Sequence, residues 1–316
     1  MASNNNQDQP PFRKLALIGI GLIGSSIARG ARQSGAALEI SAYSRSEGTR
    51  AATVELGIVD SIHDDPADAV KGADLVIVCV HLNAYKAMID AMADALEPGA
   101  ILTDVGSAKA CVFRDLGPGT PDNVHLIPGH PVAGTEKAGP TSGFAELFHD
   151  RWCILTPGED ADAVAVDRLS WFWQQLGSSI QIMDCAHHDI VLAITSHLPQ
   201  LVAYNIVGTA SDIGEVNKSE VIKYSAGGFR DFTRIASSPP EFWRDVYLNN
   251  QEAMIEVLGR FTEDLIALQR AIRWGDGEML QEKFANARGI RQRIIDAGQE
   301  ADLTDFGRHP EAKDVD

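Results

Sequence analysis

The sequence predicts an α/β fold, a Rossmann-type doubly wound parallel sheet, followed by an all-α helical domain. Short apolar runs alternate with helical patterns through the first half of the chain, as in successive βαβ units. A glycine loop, GIGLIG at residues 19–24, joins the first apolar run to the first helical pattern. Strand patterns become scarce after residue 183, and 316 residues are enough for two domains.

Each element of the first half follows from an apolar run and the residues that end it. Strands are predicted at residues 15–20, 38–43, 75–80, 101–105, 124–127 and 180–183. Helices are predicted at residues 22–34, which Gly35 ends, and at 85–96, ahead of Pro98 and Gly99. This alternation places the strands side by side in one parallel sheet.

The second half of the chain is predicted to be helical. Asp184 can cap a helix from about residue 186 toward 210, and further helices are predicted at 241–274 and 277–298. One stripe of apolar residues recurs along the longest helix at spacings of four and three: Met254, Leu258, Phe261, Leu265, Leu268 and Ile272. Such a stripe belongs either to an ordinary core helix or to the interface of a helical dimer.

These patterns divide the chain into four parts. We expect a disordered leader at residues 1–12, a dinucleotide-binding domain at 13–184, a helical domain at 185–304 and a frayed tail at 305–316. The leader is polar and has no apolar segment of the kind that a secretory signal contains.

Composition narrows the partners to small molecules. The net charge of −17 opposes binding to nucleic acid or to anionic membranes, and no apolar run approaches the roughly 20 residues of a membrane span. The four cysteines, Cys79, Cys111, Cys153 and Cys185, lie far apart without metal or redox spacing. We therefore expect reduced thiols in a cytoplasmic protein with no metal site.

The glycine loop has the context of a dinucleotide site, with a strand before it and a helix after it. Gly19 permits the tight turn, Gly21 lets the backbone approach a pyrophosphate, and Gly24 lets helix and strand pack closely. The pyrophosphate then lies at the helix N-terminus, beside Leu22 and Ile23. The alternative is a glycine-rich turn without a ligand.

The end of the second predicted strand bears on the choice of cofactor. A carboxylate that binds the ribose of NAD is expected about 20 residues after the loop, but Ser44, Arg45 and Ser46 stand there. Two hydroxyls and an arginine suit the additional phosphate of NADP, so we favour NADP over NAD. Alternatively, Arg45 lies over the adenine ring and either cofactor binds.

Three segments place polar residues among apolar or glycine-rich neighbours: DVGSAK at 104–109, GHPVAGTEK at 129–137 and GGFRDFTR at 227–234. The first two follow predicted strands. Ligands of open α/β sheets bind at the carboxyl ends of strands. We therefore expect these two segments to face the nicotinamide end of the dinucleotide crevice.

Together with SHLPQ at 196–200, these blocks resemble the prephenate and arogenate dehydrogenases of tyrosine biosynthesis. The resemblance runs from about residue 14 to about residue 300 and covers nearly the whole chain. It implies a Rossmann domain followed by a helical dimerisation domain, and hence a homodimer. It also implies oxidative decarboxylation of prephenate, arogenate or both, with hydride transfer to the nicotinamide.

The resemblance also implies roles for single residues. His130 takes the place of the catalytic base, which accepts the hydrogen bond of the substrate hydroxyl. Ser107 matches the serine that orients this histidine and the nicotinamide, although a helix N-cap is an alternative. Arg234 matches an arginine that pairs with a substrate carboxylate. Arg230, four residues earlier, either steers the second carboxylate or lies solvated on the surface.

Other matches are less specific. His197 corresponds to a substrate-binding histidine of the helical domain, with a core histidine as the alternative. Thr135 and Glu136 are expected at the mouth of the pocket, and Trp243 either lines the site or packs in the core. Four further histidines match no motif: His125, His149, His187 and His188.

Two other functions fit part of the pattern. A β-hydroxyacid dehydrogenase shares the domain plan, but its catalytic lysine has no counterpart at residues 192–208. A regulator that binds a dinucleotide without catalysis would not need His130, Ser107 and Arg234 together. The choice between prephenate and arogenate stays open. No chorismate mutase or regulatory segment is expected within the sequence, so any feedback by tyrosine would act at the active site.

Overall fold

A parallel sheet of six strands organises the N-terminal part of the computed structural model, which describes residues 9–135, 137–212 and 227–296. The strands are β1 (Phe12–Ile18), β2 (Ala37–Tyr43), β3 (Ser61–His63), β4 (Leu75–Val78), β5 (Ile101–Asp104) and β6 (His125–Leu126). Their spatial order is β3-β2-β1-β4-β5-β6, and every neighbouring pair is parallel. This is the Rossmann order, and it confirms the predicted fold class.

Helices cover both faces of this sheet. They are α1 (Leu22–Ser34), α2 (Glu47–Leu56), α3 (Pro66–Val70), α4 (Tyr85–Met92), α5 (Ala110–Asp115) and α6 (Ala163–Gln175). Successive side chains of a strand point to opposite faces. Leu15 and Leu17 of β1 therefore pack with Ile27 of α1 in one apolar cluster, whereas Ala16 and Ile18 join the cluster on the other face.

The first strand starts earlier than expected. Phe12, which the sequence assigns to the leader, is fully buried at the start of β1. Its ring packs edge-on against Phe172, with 5.8 Å between the ring centroids, and lies under the guanidinium of Arg168. The expectation for residue 12 was wrong because contacts with α6, distant in sequence, bury an apolar residue that follows a polar stretch.

A second sheet of three strands lies beside the first. The sequence predicts only its last strand, at 180–183, and wrongly assigns that strand to the main parallel sheet. The second sheet contains β7 (Gly129–Pro131), β8 (Trp152–Leu155) and β9 (Ser179–Ile182), with β7 antiparallel to β8 and β8 parallel to β9. A three-residue strand that ends in proline has too little pattern for sequence-based prediction. In this sheet His130 pairs with Ile154.

One interrupted helix follows the second sheet. It comprises α7 (Cys185–Leu192), a π-helical turn (Ala193–His197) and α8 (Leu198–Asp212). The predicted cap is confirmed, since the carboxylate of Asp184 accepts a hydrogen bond from the His187 N–H at 3.0 Å. Pro199 lacks the N–H that would continue the α-helical ladder, which accounts for the wider turn before it.

The segment Cys185–Asp212 has the length and the mean hydropathy, 1.5 over its most apolar window, that a membrane crossing would need. It nevertheless buries polar side chains against the rest of the protein. Asp189 accepts hydrogen bonds from the backbone of Lys109 and Ala110, and Gln200 donates one to the Ile235 carbonyl. These contacts identify a helix of a soluble protein, because a lipid-facing helix would leave such groups unpaired.

The remaining described helices are α9 (Gly227–Thr233), α10 (Pro240–Asn249), α11 (Gln251–Trp274) and α12 (Gly277–Asp296). The single helix predicted at 241–274 is wrong at one point, because it breaks at Asn250. The side chain of Asn250 is buried and donates a hydrogen bond to the Asp189 carbonyl at 2.8 Å. That contact with α7 turns the backbone away from helical geometry between α10 and α11.

The chain separates into two compact units between Met254 and Ile255. The helices α7 to α10 therefore belong to the same unit as the sheet, although the sequence places the domain boundary after residue 184. Within the second unit, Lys283 of α12 pairs with Asp264 of α11 at 2.6 Å. Residues 1–8 of the predicted leader (1–12) and the predicted tail (305–316) lie outside the described residues.

Most of the apolar stripe of α11 is exposed in the single chain. Met254 is buried, but Leu258, Leu265 and Ile272 are 38%, 49% and 68% exposed. An ordinary core helix would bury these positions. The exposure favours the second interpretation of the stripe, an interface.

Candidate active site

The glycine loop after β1 is shaped by close backbone contacts. Gly19 adopts a φ of +109°, and a Cβ there would lie 2.7 Å from the Cys79 carbonyl oxygen. A Cβ on Gly24 would collide with the Gly19 carbonyl oxygen. At Gly21 nothing lies within 4 Å of a Cβ position, so this side of the loop is open. The two outer glycines are thus required by the fold, and Gly21 leaves space for a ligand.

The N-terminus of α1 is suited to an anion. Its N-cap is Gly21, which provides no side-chain hydrogen bond, and the first turn contains no acidic residue. The backbone N–H groups of Leu22 and Ile23 therefore keep their hydrogen-bonding capacity, and the helix dipole favours negative charge at this end. These features fit the pyrophosphate of a dinucleotide.

The loop after β2 presents hydroxyl and cationic groups. Arg50 donates hydrogen bonds from Nη1 to the carbonyl oxygens of Ser44 (2.8 Å) and Arg45 (3.1 Å), which stabilise the loop. The Ser46 hydroxyl caps α2 by accepting from the Thr49 N–H. The Arg45 side chain is exposed and Ser44 is half-buried.

His130 lies on β7, buried except for 7% of its surface. Its Nδ1 lies 2.9 Å from Nε2 of His188, and Nδ1 of His188 lies 2.8 Å from an Asp189 carboxylate oxygen. His188 matches no motif in the sequence, and its one local signal is its position before Asp189. Strand β7 and helix α7 bring the two imidazoles together across 58 residues of sequence.

The surroundings keep His130 neutral. Burial lowers the pKa of His130 well below its usual value. The charge of Lys109, and the repulsion that His188 and His197 would exert if they were protonated, lower it further. A neutral imidazole at pH 7 has a free nitrogen lone pair and can accept a proton. Since Nδ1 contacts His188, Nε2 is the nitrogen left for a substrate.

Asp189 connects this histidine pair to the main sheet. Its carboxylate also accepts the N–H groups of Lys109 (2.8 Å) and Ala110 (2.9 Å) at the start of α5. Burial raises the pKa of Asp189, but the hydrogen bonds from His188, Ala110 and Lys109 outweigh it, so the net shift is downward. Asp189 is therefore ionised at neutral pH.

A second buried ion pair fixes the strand that carries His130. Lys109 Nζ donates to Asp104 Oδ2 and to the Gly129 carbonyl, both at 2.6 Å. Asp104 Oδ1 accepts the Gly129 N–H at 3.1 Å, and Oδ2 accepts the Tyr85 hydroxyl at 2.9 Å. Both polar groups of Gly129, the residue before His130, are thus bound to one ion pair.

Ser107 follows β5 at the same edge of the sheet. Its hydroxyl oxygen is buried and has no hydrogen-bond partner among the described residues. It does not cap α5, because Asp189 binds the N–H groups at that end. The structure shows no hydrogen bond from Ser107 to His130 Nδ1, where His188 lies instead. An unpaired hydroxyl here is a candidate contact for the nicotinamide or the substrate.

His197, in the π-helical turn, is fully buried. Its Nδ1 lies 3.2 Å from the Asn250 amide, and its ring packs edge-on against Trp243, with 6.1 Å between centroids. Its Nε2 has no hydrogen-bond partner in the described part of the chain. Burial lowers the pKa of His197 to about 4, although Asp189 opposes the shift. His197 is therefore neutral, with Nε2 available to a ligand.

Arg234 begins a short 3-10 turn (Arg234–Ser237) after α9, and Arg230 lies on α9; both are exposed. Helix α8 holds this turn in place, because Gln200 donates to the Ile235 carbonyl and the Tyr204 hydroxyl donates to the Ser238 carbonyl. The turn is therefore fastened to the helix that continues from His197.

Of the two residues predicted at the mouth of the pocket, the structure describes only Thr135. Thr135 is half-buried, and its hydroxyl accepts the Lys137 N–H at 3.2 Å. Glu136 lies outside the described residues.

A Rossmann sheet, a glycine loop suited to pyrophosphate and a buried neutral histidine define a dinucleotide-dependent oxidoreductase. Residues 27–182 match the sequence model of the prephenate dehydrogenase nucleotide-binding domain, and residues 184–286 match that of the prephenate dehydrogenase dimerization domain. The chain belongs to the prephenate dehydrogenase family and is an NAD(P)-dependent enzyme.

Individual proteins similar to this chain are members of the same family. Over 280 residues the chain is 41% identical to a cyclohexadienyl dehydrogenase of Zymomonas mobilis, covering 89% of this chain and 95% of that protein. The A. aeolicus prephenate dehydrogenase, solved with hydroxyphenyl propionate and NAD+, matches with a TM-score of 0.84 at 30% identity, covering 91% and 100% of the two chains. Synechocystis arogenate dehydrogenase matches with a TM-score of 0.74 at 26% identity, covering 89% and 99%.

Proposed function

We propose that the chain catalyses the oxidative decarboxylation of prephenate, arogenate or both, with His130 as the base. The observation that carries this proposal is a buried, neutral imidazole whose Nδ1 is occupied by His188 and whose Nε2 is left for a substrate hydroxyl. The products are 4-hydroxyphenylpyruvate from prephenate and tyrosine from arogenate. The names of the relatives support both substrates.

The overall reaction neither consumes nor releases a proton. The C–H bond at the hydroxyl-bearing ring carbon breaks, and a nicotinamide dinucleotide held by the loop 19–24 would accept its electron pair as hydride. The ring carboxylate departs as carbon dioxide, and the electron pair of that C–C bond enters the ring. His130 Nε2 holds the hydroxyl proton while carbonyl character develops, then returns it to the phenol oxygen. The formation of the aromatic ring provides the driving force for these steps.

The other residues bind and orient the substrate in this proposal. Arg234 pairs with a substrate carboxylate through its planar guanidinium, and Arg230 attracts the second carboxylate. Among the described residues, His197 Nε2 and the Ser107 hydroxyl are buried polar atoms without a side-chain or backbone hydrogen-bond partner, as expected of groups that a substrate or a nicotinamide completes. Trp243 holds His197 in position through its ring contact. Thr135 is assigned to the mouth of the site, and Glu136, which the sequence assigns there too, lies outside the described residues.

A single assay tests the activity. The purified chain is incubated with prephenate or with arogenate, each with NAD+ or NADP+, and the absorbance of the reduced nicotinamide is followed. We expect turnover with at least one substrate. No reduction with either substrate would overturn the proposal and favour a regulator that binds a dinucleotide without catalysis.

We propose further that NADP is preferred over NAD. Ser44 and Arg45 stand where a carboxylate would bind the ribose of NAD, and Arg50 stabilises the loop that presents them. Hydroxyl and guanidinium groups suit an additional phosphate. The NAD+ in the A. aeolicus structure belongs to that relative, so this preference rests on the residues after β2.

The ratio of kcat/KM for the two cofactors tests the preference. Arg45→Ala should raise the KM for NADP by about 10-fold to 100-fold, since a hydrogen bond to a charged group contributes about 1.5–3 kcal/mol. It should leave the KM for NAD nearly unchanged. Arg273→Ala, at another exposed arginine, is the control. A wild-type enzyme that prefers NAD would contradict the proposal.

We also propose that the chain forms a homodimer through residues 255–296. This segment exposes large apolar side chains, including Leu265 (49%), Ile272 (68%) and Phe284 (59%). Contiguous exposed apolar surface marks interaction sites in soluble proteins. The matching family domain is described as a dimerization domain, and soluble oligomers are most often symmetric dimers of one chain.

Light scattering of paired variants tests this interface. Leu265→Glu and Ile272→Glu should shift the molar mass from dimer toward monomer, because each places a charge in an apolar contact. Glu263→Gln, on the same helix, should leave the mass unchanged. A wild-type protein that is monomeric at micromolar concentration would contradict the proposal.

We propose the cytoplasm as the location. All four cysteines are free thiols in the structure, and two of them are buried, as is usual in a reducing compartment. Cell fractionation followed by detection of the chain tests this; recovery in the membrane or exported fraction would contradict it.

A further inference from the structure

We propose that His188 and Asp189 are positioning residues that fix the tautomer of His130, so that the lone pair of the base lies at Nε2. This inference rests on the proposed function only in naming His130 as the base. Two contacts of the structure carry it: His188 Nε2 lies 2.9 Å from His130 Nδ1, and His188 Nδ1 lies 2.8 Å from Asp189 Oδ1.

The proton positions follow from the carboxylate outward. An ionised carboxylate only accepts hydrogen bonds, so His188 carries its proton on Nδ1 and donates it to Asp189. A neutral His188 then has its lone pair at Nε2, which accepts a hydrogen bond. The contact is made only if His130 carries its own proton on Nδ1. His130 Nε2 is consequently unprotonated and ready to accept a proton from a substrate.

The backbone contacts of Asp189 make this chain of proton positions stable. Both carboxylate oxygens are held by the N–H groups of Lys109 and Ala110 at the start of α5. Backbone N–H groups only donate hydrogen bonds, so they favour the ionised form of Asp189, which can only accept from His188. The Asn250 amide binds the Asp189 carbonyl at 2.8 Å and fixes the backbone of α7 at this point.

The charges around His130 are compatible with this arrangement. His188 and Asp189 face it from α7, His197 from the π-helical turn, and the Asp104–Lys109 pair from the loop after β5. The buried Cys153 thiol lies on the neighbouring strand β8. A proton taken up at Nε2 places a positive charge on His130, and the Asp189 carboxylate stabilises that charge through His188.

The alternative is that His188 is a buried histidine with a purely structural role. Both ideas predict a loss of stability when His188 is replaced. They differ in the tautomer of His130 and in the kinetics, because only the positioning role moves the lone pair of the base. An incorrectly protonated histidine is catalytically poor even when its position is unchanged.

Three variants separate the two ideas. His188→Met removes the acceptor for the His130 Nδ1 proton. His188→Gln keeps an amide oxygen that can accept it. His187→Gln alters the exposed neighbouring histidine and is the matched control. The ring nitrogens of isotopically labelled histidine, observed by NMR in the full-length protein, report which nitrogen of His130 carries the proton.

We expect the Nδ1–H tautomer of His130 in the wild type and in His187→Gln, and its loss in His188→Met. The kcat of His188→Met should fall by about 10²–10³-fold with KM changed less than about twofold, since general-base catalysis contributes about 10²–10⁴-fold. His188→Gln should recover most of this loss.

The tautomer and the kinetics each distinguish the positioning role of His188 from a purely structural one. An Nε2–H tautomer of His130 in the wild type, or a kcat of folded His188→Met within about threefold of the wild type, overturns the proposal. If His188→Met does not fold, the wild-type tautomer and the kinetics of His188→Gln decide instead. The tautomer is measured without substrate, so its result stands apart from any failure of the chain to oxidise prephenate or arogenate.

Discussion

Lys109 Nζ lies 2.6 Å from Asp104 Oδ2, and both side chains are completely buried. The pair also binds the backbone of Gly129 on both sides and so fixes strand β7. We predict that Lys109→Met lowers the free energy of unfolding by about 3–5 kcal/mol, because it leaves the Asp104 carboxylate buried without a counter-charge. Urea unfolding at neutral pH measures this change.

The control for this prediction is an exposed ion pair. Lys86 pairs with Asp90 at 2.8 Å, four residues apart on α4 and largely in solvent. Lys86→Met should change the free energy of unfolding by less than about 1 kcal/mol. Equal effects of the two substitutions would show that burial does not set the importance of the Lys109–Asp104 pair.

His130→Asn tests the base directly. The asparagine keeps a polar side chain but cannot take up a proton, so kcat should fall by about 10²–10⁴-fold. Cofactor affinity, measured by fluorescence titration with the reduced dinucleotide, should stay within about twofold, because no part of the glycine loop changes. Near-normal turnover would remove His130 as the base.

Arg234→Gln tests the proposed carboxylate contact. Loss of a paired guanidinium should raise the substrate KM by about 10-fold to 100-fold, the equivalent of about 1.5–3 kcal/mol, with a smaller change in kcat. Arg230→Gln should have a smaller effect on the same KM. If Arg234→Gln changed only the affinity for the dinucleotide, the carboxylate assignment would fail.

Two glycines of the loop give a matched pair of variants. Gly21→Ala adds a methyl group where nothing lies within 4 Å, whereas Gly24→Ala places one against the Gly19 carbonyl oxygen. We predict that Gly21→Ala unfolds like the wild type in urea but binds the dinucleotide at least about tenfold more weakly, because its methyl group meets the pyrophosphate. Gly24→Ala should lose both stability and binding. Unimpaired binding by Gly21→Ala would place the pyrophosphate elsewhere.

The buried His197 predicts how stability depends on pH. Burial lowers the pKa of His197 from 6.5 to about 4, so in this range the unfolded chain binds a proton that the folded chain does not. The contribution of neutral His197 to the free energy of unfolding is fully present above about pH 6.5 and decreases as the pH falls toward 4. Urea unfolding between these pH values should show a slope that His197→Gln reduces by up to about 1.4 kcal/mol per pH unit. The exposed His187→Gln should keep the full slope.

Many of the helices, strands and loops could be predicted from local signals in the sequence. The glycine loop, the Asp184 cap and the alternation of strands and helices depend on residues within a few positions of one another. These elements lie where the sequence places them, with small differences at their ends. The polar blocks at 104–109 and 129–137 contact each other, because Lys109 and Asp104 bind the backbone of Gly129. The second block nevertheless begins as strand β7 of the second sheet, and the prediction that both blocks face the nicotinamide stays a prediction.

Contacts between distant segments explain the errors and omissions. Phe12 is buried by α6, Asn250 leaves its helix to bind α7, and β7 exists only through pairing with β8. None of these partners lies nearby in the sequence. No periodicity or spacing therefore marks them in advance.

The sequence by itself determined the Rossmann-type fold class, the dinucleotide loop and the presence of His130 in a recognisable block, because these depend on local backbone preferences and on side-chain types. Only the tertiary structure decided what surrounds His130. Its partner His188 comes from α7, the carboxylate that polarises the pair caps α5, and the ion pair that fixes its strand follows β5. Hydrogen bonds and burial act through space, so the protonation state of a base is set by the packing of segments that the chain order keeps apart.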